Sequence, residues 1–289
     1  MTATRQPAPV QAPTELRHPH THDLDLLPTA DLLRMINAED ALVAPAVAAA
    51  LPAVEAAVDL ATTAMRAGHT VHYFGAGTSG RVAAMDAAEL PPTFGAVGER
   101  VIAHHAGGAA ALGQALENVE DDESSGAADA QTLQAGDLAV GLTASGRTPY
   151  VAGALGHARQ VGAHTVLVSS HPSAEAAHLA DVHICVDTGP EVLSGSTRMK
   201  AGTGQKLVLN AFSTALMVRL GHTYSNLMTG VVAKNAKLHG RMVAILAQAS
   251  GRDLAVCGEV LVECDGDLRL AMVRLLGDVD ADRARTALD

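Results

Sequence analysis

With 289 residues, 48% of them apolar but only 2% aromatic, the chain can fill one large α/β domain and a small addition, packed by Ala, Val and Leu. A formal net charge of −11 argues against a nucleic-acid partner, which needs a basic surface, but not against one small anion gripped by a local set of donors. The three cysteines, Cys185, Cys257 and Cys264, form no CxxC and cannot all pair, so reduced thiols are expected.

Residues 1–13 carry Pro7, Pro9 and Pro13 among small residues and read as a disordered tail without a signal peptide's apolar core. No eighteen apolar residues run uninterrupted, so no membrane span is expected and the protein is assigned to the cytoplasm. Helices are predicted from near Thr29 and over 41–67, where Val43, Val47, Leu51, Val54 and Val58 recur at helical spacing. Pro52 should kink the second. From residue 70 the texture changes to short β-rich runs at 70–74, 100–104, 138–142, 165–169 and 182–186, with helical stretches between most of them. The alternation predicts an α/β fold: a parallel five-stranded sheet in a three-layer α/β/α sandwich, with ligands at the carboxyl ends of the strands. A loop at 191–197 should lead into helices over 200–220 and 226–249. Three apolar-periodic segments, 253–263, 267–276 and 280–288, then make a small helical appendage. The expected organisation is a tail over 1–13, an α/β domain with its N-terminal helices over 14–225, and a helical region over 226–289.

Two of the strands run into turns rich in Gly, Ser and Thr. The first turn is Gly75-Ala76-Gly77-Thr78-Ser79-Gly80-Arg81 and the second Thr143-Ala144-Ser145-Gly146-Arg147-Thr148-Pro149. Each precedes a helix start, where unpaired N–H groups and the helix dipole favour an anion and short hydroxyls add donors. The first turn also satisfies Gly-x-Gly-x-x-Gly, but the following strand ends in His104-His105-Ala106-Gly107-Gly108, with no carboxylate for a ribose. Thr78 and Ser79 suit a phosphomonoester better than a dinucleotide.

Two acidic positions are candidates for proton transfer. Glu89 lies in Asp86-Ala87-Ala88-Glu89-Leu90-Pro91-Pro92, where the prolines should stop the helix and apolar neighbours should strip water from the carboxyl group. A surface glutamate at a helix end fits the same letters. Glu117, Glu120, Asp121, Asp122 and Glu123 form an acidic run, read as one helix with Glu117 and Glu120 on the same side and most of the rest solvated. His18, His20 and His22 resemble a metal stripe but have no evident carboxylate or Cys partner, and strand-end His104 and His105 are more often structural.

GAGTSGR (75–81), DAAELPPTFG (86–95), ASGRTPYV (144–151) and GPEVLSGSTRMKAGTGQKLVLN (189–210) resemble, in order and spacing, the signatures of the N-acetylmuramic acid 6-phosphate etherases. TELR (14–17), NAED (37–40) and NLM (226–228) fit as well. The resemblance implies a sugar isomerase (SIS) fold, shared with the glucokinase regulatory protein, and cleavage of the D-lactyl ether of a phosphorylated amino sugar without metal or organic cofactor. It implies Glu89 as proton donor and Glu120 as the second catalytic glutamate. Thr78, Ser79, Gly80, Ser145, Gly146, Arg147, Thr148, Ser196, Thr197 and Arg198 would line the sugar-phosphate site. Family precedent also implies a homodimer with sites near the subunit interface, and an exposed apolar helix such as 200–220 would suit the contact. Asn118 and Val119 depart from the usual Gly-Ala ahead of Glu120, and KNAKL (234–238) from the usual TNEKL. Two other classes remain open at this level: a sugar-phosphate-binding regulator without turnover, and an aldose–ketose isomerase on the same fold.

Overall fold

The computed structural model describes residues 12–233 and 236–288, so the expected tail lies, up to residue 11, outside the described residues. Ala12 is buried and Pro13 opens a short 3-10 turn. Helices α1 (Thr29–Asp40) and α2 (Val43–Arg66) follow, and α2 runs through Pro52 without interruption. Pro52 and Ala48, whose carbonyl loses its helical partner there, both lie on the exposed side, so the loss does not bury an unpaired carbonyl. The stretch Thr29–Arg66 is long and apolar enough to cross a membrane by composition alone. In the fold, the stripe Val47, Val54, Ala57, Ala61 and Met65 is buried, and α2 packs on the sheet.

Five strands, β1 (Val71–Gly75), β2 (Val101–His105), β3 (Leu138–Leu142), β4 (His164–Ser169) and β5 (Val182–Cys185), form one sheet in the order β2-β1-β3-β4-β5. The pairs β1/β3, β3/β4 and β4/β5 are parallel. The chain moves from β1 outward to β2 and then returns to the other side of β1, so the switch point of the sheet lies between β1 and β3. Open α/β sheets bind ligands at such a point, beyond the carboxyl ends of the strands. Between the strands run α3 (Gly77–Phe94), α4 (Ala110–Gly113), α5 (Glu123–Asp129) and α6 (Pro149–Val161). After β5 come α7 (Lys200–Arg219), a two-stranded ribbon of β6 (Thr223–Tyr224) and β7 (Leu227–Met228), and helices α8 (Ala236–Ser250), α9 (Leu254–Glu263), α10 (Leu268–Gly277) and α11 (Ala281–Thr286).

Two compact units result. The chain up to Asp86 together with Ile102–Phe212 makes the first, and Ala87–Val101 with the chain from Ser213 onward makes the second. One core of the first unit gathers Phe74, Leu133, Ala139, Tyr150, Leu155 and Leu167. Small residues permit the close layers: Gly126 of α5 and Gly153 of α6 each meet the other helix's backbone where a Cβ would sit. The second unit packs Met242, Leu246, Cys257, Leu261, Leu268 and Met272 from α8, α9 and α10. All three cysteines are free.

Four expectations need correction. Helix α3 does not stop at Pro91-Pro92 but continues to Phe94. The Thr93 hydroxyl donates to the Glu89 carbonyl (2.9 Å), and Gly98 lies so close to Leu90 and Pro91 that a Cβ would stand 2.6 Å from the Leu90 carbonyl carbon. The stretch 226–233 is not the start of a helix. Thr223 pairs with Met228 and Tyr224 with Leu227 around a turn at left-handed Ser225 (φ 52°), and Gly230 then fits against the Phe94 backbone. The acidic run 117–123 is not one helix, because Asn118 is left-handed (φ 62°) and α5 begins only at Glu123. Helix α7 is no free apolar surface, since Val208, Leu209, Phe212, Leu216 and Met217 are all buried.

On β1 and β2, His72 and His104 stack in a column with Phe74 (centroids 5.2 Å between the histidines, 4.6 Å from Phe74 to His104), and His72 Nδ1 lies 2.9 Å from His104 Nε2. Burial, then the neighbouring His104, depress the His72 pKa to about 4 against the opposing pull of Asp137. The folded protein therefore holds His72 neutral where the unfolded chain protonates it. The stability this contributes is complete above about pH 6.5 and is lost as pH falls toward 4. Denaturant unfolding should show a loss of about 1–2 kcal/mol from this group between pH 7 and 5. The His72→Gln variant should show a flatter pH dependence; an unchanged slope would remove His72 as the cause.

Candidate active site

The first loop starts where β1 ends. Gly75 and Gly80 touch backbone to backbone: a Cβ on Gly75 would lie 2.7 Å from Gly80 N, and one on Gly80 would lie 2.5 Å from Gly75 O and run into the His105 ring. Gly77 supplies the left-handed step (φ 55°), and His105 Nε2 stands 3.1 Å from its carbonyl. Helix α3 thus begins directly on the strand end. Its first turn carries Thr78 (half-buried), Ser79 (buried) and Gly80, with the unpaired N–H groups of a helix N-terminus.

The second loop leaves β3 at the same level, because Gly75 and Leu142 are register partners on adjacent strands. Thr143 organises it: Oγ1 lies 2.7 Å from Thr148 Oγ1 and accepts from Gly146 N at 3.2 Å. Gly146 is left-handed (φ 73°) and backs onto Ala174 where a Cβ would sit, while its carbonyl accepts from Ala176 N at 2.9 Å. Thr148 stands at the N-cap of α6 with Pro149 in the first position, a favoured start. Ser145 and Thr148 are half-buried and Arg147 is exposed.

Ser196, Thr197 and Arg198 form the turn ahead of α7, and this turn adjoins the first loop. A Cβ on Gly202 would lie 3.0 Å from Thr78 Cγ2 and 3.3 Å from Thr197 O, so glycine lets the two pack there without displacing a neighbour. Beneath the turn, fully buried Glu191 accepts from the backbone N–H of Lys200 (2.9 Å) and Ala201 (3.0 Å), occupying the free donors at the start of α7. Burial raises the Glu191 pKa, although these bonds and the Lys200 charge oppose the rise. The Lys200 ammonium, itself buried, donates to Glu39 (2.7 Å), and His18 Nε2 sits 3.2 Å from the same carboxylate oxygen. Burial works against the charge on Glu39, but the bond from Lys200 and the charges of Lys200 and His18 outweigh it and lower its pKa. Thr14 O accepts from Gly195 N (3.2 Å) and the Thr21 hydroxyl donates to Val192 O (2.9 Å), so the N-terminal segment straps this loop in place.

Sequence reasoning missed this network. Glu191 and Lys200 stand inside a recognised motif with no chemistry placed on them, and no short-range pattern links Lys200 to Glu39, 161 residues away. His18, one of three tail histidines with no evident carboxylate in the sequence, finds that partner in Glu39.

Glu120 lies in the first unit, in a 3-10 turn (Val119–Asp121) between left-handed Asn118 and the α5 cap Asp122, and is exposed. Glu89 belongs to the second unit, on the later part of α3. Leu90 and Phe94 are buried there, but Glu89 is exposed, so its own chain does not form the dry apolar enclosure expected from its neighbours.

A parallel sheet with donor-rich loops at its switch point defines an α/β domain of the sugar-isomerase type. Residues 53–159 match the glucokinase regulatory protein N-terminal SIS domain. A putative phosphosugar isomerase involved in capsule formation from Bacteroides fragilis shares the fold, with a TM-score of 0.53 and 18% identity over 68% of this chain and 93% of that one. The N-acetylmuramic acid 6-phosphate etherase of Thermobifida fusca is 65% identical over 92% of this chain and 88% of its own length. That of Aeromonas hydrophila is 47% identical over 95% and 93%. The chain belongs to the N-acetylmuramic acid 6-phosphate etherase family.

Two outcomes follow for stability. At left-handed Asn118, Asn118→Gly should be nearly neutral in thermal unfolding, whereas Asn118→Val should cost about 1–2 kcal/mol. Lys200→Met strands Glu39 opposite a missing cation and should cost about 3 kcal/mol; the double variant Lys200→Met with Glu39→Leu should recover much of it in the same assay.

Proposed function

We propose that this protein is a cytoplasmic carbon–oxygen lyase that cleaves the D-lactyl ether of N-acetylmuramic acid 6-phosphate to N-acetylglucosamine 6-phosphate and D-lactate, a step of peptidoglycan recycling. The observation that carries the reading is the presence, in a chain 65% identical to an etherase over 92% of its length, of two donor-rich loops leaving adjacent parallel strands at one level. Thr78, Ser79 and Gly80, with Ser145, Gly146, Arg147 and Thr148, and with Ser196, Thr197 and Arg198, hold the 6-phosphate and the sugar. Anchoring the substrate at this end contributes through orientation of the reacting bonds.

An ether oxygen on C3 is a poor leaving group for direct displacement. In the open-chain sugar, C1 is an aldehyde, the C2 proton is α to it, and the C3 oxygen is β. Glu120 takes the C2 proton, the C–H electron pair forms the C2–C3 double bond, and the C3–O bond breaks. Glu89 gives its proton to the departing oxygen, which leaves as lactate. Water then adds to C3 of the unsaturated aldehyde and a proton returns to C2, with the same two groups in reversed roles. One acid and one base suffice, and each positioned transfer is worth on the order of 10²–10⁴-fold. The functional unit is a homodimer. Exposed Leu33, Leu42 and Leu51 offer apolar contact to a second copy.

The match of residues 53–159 to a regulatory protein's domain favours a second reading, a sugar-phosphate binder without turnover. Incubation with N-acetylmuramic acid 6-phosphate in oxygen-18 water separates them. The lyase gives D-lactate without label and N-acetylglucosamine 6-phosphate labelled at C3; binding without D-lactate would establish the regulator instead. Glu89→Ala should slow lactate release by about 10²–10⁴-fold while deuterium uptake at substrate C2 is less affected. The reverse pattern would exchange the two roles.

A further inference from the structure

Arg81 closes the motif of the first loop, one residue after the glycine that contacts the strand end. An arginine there would be expected to face a phosphate, but its guanidinium is engaged elsewhere. Nε donates to Leu112 O (2.9 Å), and Nη2 donates to Ala111 O (2.8 Å) and Gln114 O (2.9 Å). These carbonyls belong to the last turn of α4 and the residue that follows it, where a helix leaves its carbonyls without internal partners. A planar fork of N–H donors meets three of them at once; a single ammonium could not match that geometry.

The bonded segment leads within six residues to Glu120. Between them the path is set by backbone and packing: left-handed Gly107 (φ 82°) lies beneath Leu116 and Val119, each 3.2 Å from where its Cβ would be, and Asn118 takes the left-handed turn. On the far side, Asp122 caps α5 by accepting from Ser125 N at 3.0 Å. The stretch 111–122 is thus anchored at its distal end by α5, in its middle by apolar contact, and at its proximal end by Arg81. Of these anchors, Arg81 alone comes from the turn proposed to hold the phosphate.

We infer that Arg81 is a positioning residue for proton removal: it ties the phosphate turn to the Glu120 segment and so fixes where that carboxylate stands relative to a sugar anchored by the turn. The inference rests on the proposed role of Glu120 as base. It differs from the phosphate-binding role that the motif suggests, and the two roles predict opposite kinetic signatures. Misplacement by about an ångström can cost on the order of 10²-fold in rate without loss of affinity.

The test compares Arg81→Ala, Arg81→Lys and Glu120→Gln in the full-length protein, checked for folding by thermal unfolding. The measurements are kcat and KM for N-acetylmuramic acid 6-phosphate, deuterium uptake at substrate C2, and Kd for N-acetylglucosamine 6-phosphate. Arg81→Ala should lower kcat and C2 exchange together by about 10–100-fold, with Kd changed less than about 2-fold, and added guanidinium should restore part of the rate. Arg81→Lys should fall between the two, and it serves as the folded variant if the alanine variant does not fold. A weakened Kd with unchanged kcat would make Arg81 a phosphate ligand and overturn the inference. So would exchange lost in Glu120→Gln but native in both Arg81 variants, or a kcat loss that guanidinium does not rescue. Exchange retained in Glu120→Gln would instead overturn the base assignment itself.

Discussion

The close approach of Gly75 to Gly80 is the constraint on which the rest of the site depends. Because neither carries a Cβ, α3 starts almost on top of the end of β1, and its free N–H groups open directly at the switch point between β1 and β3. Any side chain at either position would drive the helix start away from the strand, and with it Thr78, Ser79 and the direction in which Arg81 leaves the turn. The register that puts Gly75 level with Leu142 brings the second loop alongside, at the spacing of neighbouring strands, about 4.8 Å. A third glycine, Gly202, lets α7 and its leading turn close against Thr78. Backbone contact between Gly75 and Gly80, with Gly202 packed near the Thr78 methyl, therefore sets the geometry, and the hydroxyl side chains are carried on it.

This explains how a chain with a net charge of −11 can hold an anion. The cations nearest the loops are largely committed elsewhere: Lys200 to Glu39, and Arg81 to the carbonyls around α4. Arg147 and Arg198 are exposed, where solvent and salt weaken their pull. What remains is a set of oriented donors, the N–H groups of helix starts and short hydroxyls. Such a set is directional, so in the proposed role it would fix the attitude of a bound phosphate as well as retain it. For a reaction that depends on presenting one C–H bond to one carboxylate, attitude matters more than strength of binding.

How much of this was legible in the sequence follows from the range of each interaction. The strand at 138–142 was placed to the residue and the others within one or two, because a parallel strand buried on both faces declares itself as an apolar run ended by small residues. The three terminal helices were legible from their periodicity. Where the reading erred, a distant contact overrode a local rule. Pro91 and Pro92 lie inside α3 with Gly98 backing the turn, and 226–233 does not begin a helix because Gly230 seats against the Phe94 backbone. Neither contact leaves a trace in the residues around it. The loops at 75–81 and 143–149 were legible because glycine and hydroxyl residues are local necessities of a strand-end turn. The Lys200–Glu39–His18 network and the Arg81 carbonyl clamp were not, since their partners lie well beyond one helix or turn in the chain, from 21 residues apart for His18 and Glu39 to 161 for Lys200 and Glu39.

The two departures from the family pattern ahead of Glu120 make physical sense as a pair. Asn118 stands where glycine is usual, and its φ of 62° is the conformation that asparagine tolerates better than other side chains. Val119 stands where alanine is usual, and its extra methyl groups reach over Gly107, where they pack beside Ala111 and Leu116. One residue holds the left-handed turn and the other packs its seat, and together they set the route by which the backbone arrives at Glu120. A carboxylate placed in this way needs no ion pair to hold it, and among the described residues Glu120 makes none. That freedom suits the proposed task, because a cation at its side would fix the carboxylate and, by favouring its charged form, weaken it as a base.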